Sequence, residues 1–334
     1  VSAPLRAPFP YFGGKRLVAA EVWARLGDVA VYAEPFAGSL AVLLGRHAAE
    51  WRDGRVETVN DLDGFVANAW RAILHDPEQT AYRADWPSNE NDLHARHAWL
   101  VEQREQLTRR IEGDPDYYDA RIAGWWLWGI AQWIGGGWCS GVGPWTRVQT
   151  EAGWVLTTTE GDAGRGVSRR RLGLVSAGRG VSRSTLGSAG LLPWLLALSE
   201  RLRRVRVCSG DWARILTPSA LACAVGGPRG ILLDPPYSAE ADRHECYALD
   251  SGTVAHDVRA WCESAPADYR IALCGYIGEG HDSLTERGWS CHRWTAQGGM
   301  QRDKQNPGNR EREAIWFSPA CLAPAQLTLF EAAQ

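Results

Sequence analysis

Apolar residues occur along the chain in short blocks of two kinds. Val29–Glu34 (VAVYAE) and Val56–Val59 are of strand length, whereas Ser39–Ala49 and Leu62–Leu74 spread their apolar residues at helical spacing. The alternation resumes after residue 190 with a helix over Leu191–Arg203, interrupted early by Pro193, then strands Val205–Ser209 and Gly230–Asp234. A helix over Thr253–Ser264 and strands Tyr269–Gly275, Trp289–Thr295 and Arg312–Phe317 complete the pattern. Strand and helix in turn at this spacing predict βαβ units on a parallel sheet.

The middle of the chain breaks the rhythm. Leu93–Glu112 predicts a polar amphipathic helix and Tyr117–Ile134 a Trp-rich one, followed by the Gly- and aromatic-dense IGGGWCSGVGPWTR at 134–147. GRGVSRRRLG (164–173) then returns as GRGVSRSTLG (178–187). Two copies are too few for a solenoid, and 157–190 reads as a flexible loop. The expected layout is a split α/β domain, 1–75 plus 191–334, interrupted by an inserted module, 76–190.

Composition narrows the classes. With 45% hydrophobic and 22% charged residues over 334 positions, the chain can bury a large core, which excludes wholesale disorder. The longest apolar stretch, Trp125–Ile134, contains Gly129 and Gln132 and is far short of the roughly 18–20 residues of a membrane span. The opening VSAPLRAPFPYFGGKR has no apolar run of signal-peptide length. The eight cysteines form no CxxC pair and no Cys/His cluster, so reduced thiols, no metal and a cytoplasmic location are expected. The net charge of −3 carries no global nucleic-acid signal, but Ala163–Ser199 holds six arginines and no acid. That surplus suits a polyanion or a solvated loop equally.

The sharpest chemical signal is LLDPPYS at 232–238. A carboxylate followed by two prolines at the carboxyl end of a strand puts acceptors without competing N–H donors where open α/β sheets bind ligands. Such a turn suits an amino group, with one N–H to Asp234, the other to the Pro235 carbonyl, and the Tyr237 ring as a flat face. The plain alternative is a strand end with a proline turn. YAEPFAGSLAV (32–42) places Ala37, Gly38 and Ser39 where a ligand could approach the backbone and a helix start. VNDLD (59–63) puts Asp61 where ribose hydroxyls are held in dinucleotide folds, or where a helix is N-capped. PYFGGKR (10–16) and SGDWARIL (209–216) each read as a turn or a site.

In this order, FGGK, EPFAGS, ND, a long insertion, SGDW and DPPY resemble the Dam-type (α-class) DNA adenine N6-methyltransferases, which depend on S-adenosylmethionine. The resemblance covers the split domain and extends to REAIWFSP (312–319). It implies a Rossmann-like mixed-sheet methyltransferase domain split by a mostly helical and loop recognition module. By the same resemblance Tyr11, Lys15, Glu34, Phe36, Gly38, Asp61, Asp211 and Trp212 contact the cofactor. Asp234, Pro235, Pro236 and Tyr237 match the catalytic tetrapeptide. The chain departs from the family pattern at Leu40, where a second Gly is usual, at Tyr11, where Trp is usual, and at Pro10, where Lys or Arg is usual. Its insertion does not align with the family's recognition module.

The implied reaction is in-line methyl transfer from a sulfonium to the exocyclic amine of an adenine flipped out of double-stranded DNA. A separately encoded cognate restriction enzyme is an open partner, as in phage and bacterial restriction-modification systems. Absence of a Pro-Cys dipeptide argues against carbon-5 cytosine methylation, and DPPY instead of NPPY argues against protein glutamine. Cytosine N4, RNA and a catalytically inactive DNA-binding relic stay open. In the insertion, Trp125, Trp126, Trp128 and Trp133 are expected to form a helical core. Trp138, Trp145 and Arg147 are candidates for touching DNA. Arg165, Arg169, Arg170, Arg171, Arg179 and Arg183 are candidates for phosphate contacts, or for a solvated loop. The stretch 298–312 is a further phosphate-contact candidate.

Overall fold

Val31–Glu34 (β1) is buried at all four positions, as expected of a strand covered on both faces. It lies in the middle of a sheet whose other members are Val56–Asp61 (β2), Val205–Ser209 (β5), Arg229–Leu233 (β6), Arg270–Tyr276 (β7), Ser290–Arg293 (β8) and Glu313–Phe317 (β9). Trp145–Thr150 (β3) and Gly153–Thr158 (β4) form a separate antiparallel hairpin. The structure is a computed structural model that describes residues 5–11, 14–46, 54–133, 138–139, 145–150, 153–158, 190–236, 253–294 and 312–324.

The seven-stranded sheet runs β5-β2-β1-β6-β7-β9-β8. From β5 to β7 all neighbours are parallel, while β9 is antiparallel to both β7 and β8. Numbered along the chain without the hairpin, the order is 3-2-1-4-5-7-6. Its first five places follow the doubly wound α/β pattern, in which the order reverses between the first and fourth strands. That reversal, between β1 and β6, opens a crevice at their carboxyl ends.

Strand residues alternate between two cores, as a pleated sheet requires. Tyr32, Leu232, Cys274 and Phe317 face one core, whereas Val31, Ala33, Leu233, Leu273 and Trp316 face the other. The first core is covered by Ala19–Leu26 (α1), Ala41–Gly45 (α2), Gly64–His75 (α3) and Leu191–Leu202 (α7), the second by Val254–Ser264 (α8). Pro193 does not interrupt α7. It lies in the first turn, where its missing N–H has no intrahelical partner to lose. A buried carboxylate on β2 anchors the edge of this layer: Glu57, with a fully buried side chain, meets Arg46 at 3.1 Å and Arg201 at 2.7 Å.

Between β2 and β5 the chain adds Pro77–Ala84 (α4), Glu90–Gly113 (α5) and Ala120–Gln132 (α6). Sequence periodicity does not predict α4, although Asp76 caps it through Gln79 N–H and Pro77 opens it. These helices do not form a core of their own. Leu100, Leu107, Trp126 and Leu127 belong to the same cluster as Leu43, Phe65 and Trp70. Trp126, Trp128 and Trp133 are buried, as expected, and Trp125 is half-buried.

Trp138 corrects the sequence reading. Expected at a DNA-facing turn, it is instead 7% exposed, with its indole N–H donated to the Trp126 carbonyl at 3.1 Å. Its ring packs against His97 and Trp133, at centroid distances of 5.2 and 5.1 Å. Burial pushes the His97 imidazole down to about 4, so this stack holds a neutral ring at neutral pH. The packing is possible because α6 presents Gly129, where a Cβ would come within 1.9 Å of Trp138 Cζ2. Gly129→Ala is therefore expected to destabilise the protein by about 1–3 kcal/mol through overpacking, read as a lower urea midpoint. Trp145 and Arg147 fall in β3, of which the backbone alone is described. The loop arginines 165, 169, 170, 171, 179 and 183, and the stretch 298–311, lie outside the described residues.

Candidate active site

A cleft of about 300 Å³ occupies the crevice between β1 and β6. Its lining includes Tyr11, Lys15, Glu34, Phe36, Gly38, Asp61, Asp211, Trp212, Asp234 and Pro236, residues separated by as much as two-thirds of the chain. Parallel strands make this possible, because β1, β2, β5 and β6 all end at the same edge. Pro235 is buried just outside the lining, and Tyr237 lies outside the described residues.

The turn after β1 is held by its neighbours. Gly38 N–H donates to Asp61 Oδ2 at 2.9 Å, and the Gly38 carbonyl accepts from the Trp70 indole at 2.8 Å. Gly38 has φ +44°, and a Cβ there would come within 2.5 Å of the Tyr11 ring, so both backbone and space demand glycine. Leu40, two residues on, is also left-handed at φ 52° and ψ 30°. A leucine there thus holds a backbone conformation that glycine adopts most readily. Complete burial of the Leu40 side chain offsets a backbone cost of roughly 1 kcal/mol.

Asp61 ends β2 and does not cap the next helix. Asp63 does so, accepting from Phe65 N–H at 3.0 Å. Asp61 accepts instead from Gly38 N–H and, through Oδ1, from Asp63 N–H at 2.9 Å. A carboxylate has about four lone-pair sites, so acceptor capacity remains toward the cleft. Burial pushes Asp61 up to about 7, against the pull of the Gly38 and Asp63 N–H groups. Glu34, at the end of β1, is pushed to about 8 by burial, with the nearby charge of Asp234 adding and the Tyr32 hydroxyl opposing.

On the β5 side Asp211 caps a short turn, accepting from Ala213 N–H at 2.9 Å. It presents Trp212, which stacks on Phe36 with centroids 6.1 Å apart and planes at 25°. At the end of β6, Lys15 Nζ lies 2.8 Å from Asp234 Oδ1. Burial raises the Asp234 carboxyl, and the Lys15 ammonium pulls it back toward the ionised form.

Sequence reasoning missed three contributors. Asn60 is 1% exposed and donates its amide to both the Pro35 carbonyl at 3.1 Å and the Gly210 carbonyl at 2.9 Å, tying the β1 and β5 turns together. Arg104 on α5 pairs with Asp63 at 3.3 Å and donates to the Cys139 carbonyl. Glu313 lies 3.9 Å from Lys15 Nζ. Among the described residues no cluster of His, Cys, Asp and Glu could hold a metal ion, and no helix is long and apolar enough to cross a membrane.

Compared with protein-family models and with curated proteins, the chain matches no family model and has no significant curated relative.

Proposed function

We propose that this chain transfers a methyl group from S-adenosylmethionine to the N6 amino group of adenine in DNA. The observation that carries the reading is the convergence of Lys15, Gly38, Asp61, Trp212 and Asp234 on one crevice at the strand-order reversal. The crevice fits such a cofactor on two counts. Asp61 has spare acceptor capacity for ribose hydroxyls, and the Phe36–Trp212 pair offers an aromatic wall for a purine. When bound, the cofactor supplies an electrophilic methyl on a sulfonium.

The rest of the chemistry belongs to the chain. An exocyclic ring amine is a poor nucleophile, because its lone pair is delocalised into the ring. Asp234 would accept one N–H and the Pro235 carbonyl the other, favouring a pyramidal nitrogen with its lone pair directed at the methyl. Fixed acceptors at this position act by orientation and by matching the charge that develops on the nitrogen. The base has to leave the duplex to reach the cleft. Cytosine N4 and RNA adenine present the same amine, and they are separated from DNA adenine by product analysis. Incubation with tritiated S-adenosylmethionine and unmodified genomic DNA, followed by digestion to nucleosides, is expected to place label in N6-methyladenosine's deoxy form. Label in N4-methylcytosine would redirect the assignment. Measurable cofactor binding with no labelled nucleoside would sink it.

The titration of Asp61 gives a second expectation. Burial pushes this carboxyl up to about 7, whereas ribose hydroxyls donate best to the ionised form. Binding then releases a proton at low pH. Affinity should rise by up to about tenfold per pH unit as pH approaches 7 from below, then level off. Asp61→Asn is expected to weaken binding about tenfold at pH 8 and to flatten this dependence, as measured by calorimetry. A slope unchanged by the substitution would remove Asp61 from the ribose.

A further inference from the structure

Glu313 has no part in the scheme so far. It opens β9 opposite Tyr276 in the β7–β9 register, and its side chain is 8% exposed. It does not line the cleft, yet its carboxylate is 3.9 Å from the same ammonium that reaches Asp234 at 2.8 Å. Two carboxylates therefore share Lys15, and they differ in outlook: Asp234 is 20% exposed toward the cleft, and Glu313 is enclosed behind it.

The geometry points to Glu313 as a positioning residue that gives the Lys15 ammonium a second berth, freeing the Asp234 carboxylate for the amino group of an incoming base. The inference rests on the methyl-transfer reading of the cleft and adds a residue to it. An ammonium 2.8 Å from Asp234 Oδ1 neutralises much of the charge that would draw an amine N–H. Lys15 cannot retreat to water, since its side chain is 4% exposed and a buried ammonium without a counter-charge is strongly disfavoured. Glu313 is only 1.1 Å farther from Nζ than Asp234 is (3.9 minus 2.8 Å), within reach of small rotations of a four-carbon stem.

Among the described residues, the nearby Glu34 and Cys274 do not offer the same berth. Glu34, at the end of β1, is pushed up to about 8 by burial and is mostly neutral at pH 7. The Cys274 thiol on β7 is pushed up by burial as well and stays protonated. The arrangement thus places the lysine's partner for the resting state in the cleft, and its partner for the substrate-bound state in the wall behind.

The test compares methylation of unmodified genomic DNA by the wild-type and Glu313→Gln proteins across pH, with cofactor affinity measured by calorimetry. In Glu313→Gln the lysine stays on Asp234, so kcat is expected to fall about tenfold. Cofactor affinity should remain within about twofold, because the substitution acts on the amine acceptor and not on the cofactor wall. The acid limb of kcat should move to lower pH by about one pH unit, since a committed Lys15 favours ionised Asp234. Glu313→Asp, which retracts the carboxylate by one methylene, is expected to move both readouts in the same direction, and it carries the test if the Gln protein does not fold. Unchanged kcat overturns the inference. So does a loss of kcat with an unmoved acid limb, the mark of a merely structural role. A wild-type protein that labels no nucleoside removes the methyl-transfer reading itself, and the Glu313 inference with it, a result distinguishable from either variant outcome.

Discussion

Asp234→Ala is expected to lower methyl transfer by about a thousandfold or more while leaving cofactor affinity within about threefold. The substitution removes the acceptor that the scheme places on the reacting nitrogen. It leaves Asp61, Gly38 and the Phe36–Trp212 wall untouched. Lys15 loses its 2.8 Å partner but keeps Glu313 at 3.9 Å, so the fold should survive without an isolated buried cation. Single-turnover incorporation of labelled methyl, with calorimetric titration of the cofactor on the same protein, separates chemistry from binding. Methyl transfer at more than a tenth of the wild-type rate would show that Asp234 is a strand-end turn residue and not the acceptor.

The second large effect is on stability and lies far from the cleft mouth. Glu57 is 0% exposed and is the shared counter-charge of Arg46 and Arg201. Arg201 donates to it twice, at 2.7 and 3.1 Å. Both guanidinium groups also donate to carbonyls, Arg46 to Val29 and Arg201 to Leu43, so they are fixed in place and cannot follow a lost partner into water. Glu57→Ala leaves Arg201 without its carboxylate and Arg46 with only Asp28 at 3.7 Å, and is expected to cost about 3–5 kcal/mol. That is a large share of the 5–15 kcal/mol typical of a folded domain, and urea unfolding should show it as a shifted midpoint. Replacing all three side chains by methionine should restore much of the loss, because the desolvation of the charges disappears with them. A Glu57→Ala protein within 1 kcal/mol of wild type would show that Asp28 and solvent take over the two arginines.

What the sequence disclosed follows from the range over which each signal acts. The strands β1, β2, β5 and β6 and their parallel pairing were legible because apolar blocks and helical spacing are local. A mixed sheet was expected from the resemblance alone, since nothing within Glu313–Phe317 itself encodes that β9 is the strand that enters antiparallel. α4 escaped because its polar residues dilute the period, although Asp76 followed by Pro77 is a local start signal. Asp61, Lys15 and Asp234 were visible as carboxylates and a cation at turns next to strands. Asn60 was not, because its meaning depends on carbonyls 25 and 150 positions away. Trp138 misled for a similar reason. Its Gly-rich surroundings read as a surface turn, and only Gly129 on α6 and His97 on α5 show that the indole is enclosed.

The common core of α4, α5 and α6 with the sheet bears on how this chain unfolds and how it could be divided. Segments that bury Leu100, Leu107 and Trp126 among Leu43, Phe65 and Trp70 cannot melt without exposing the wall that supports Gly38. Heating should therefore give one cooperative transition, with calorimetric and van't Hoff enthalpies in agreement. Grafting residues 76–190 alone onto another scaffold would leave an apolar face on each piece. A workable division would carry the facing surfaces of α3 and α7 along with α4, α5 and α6.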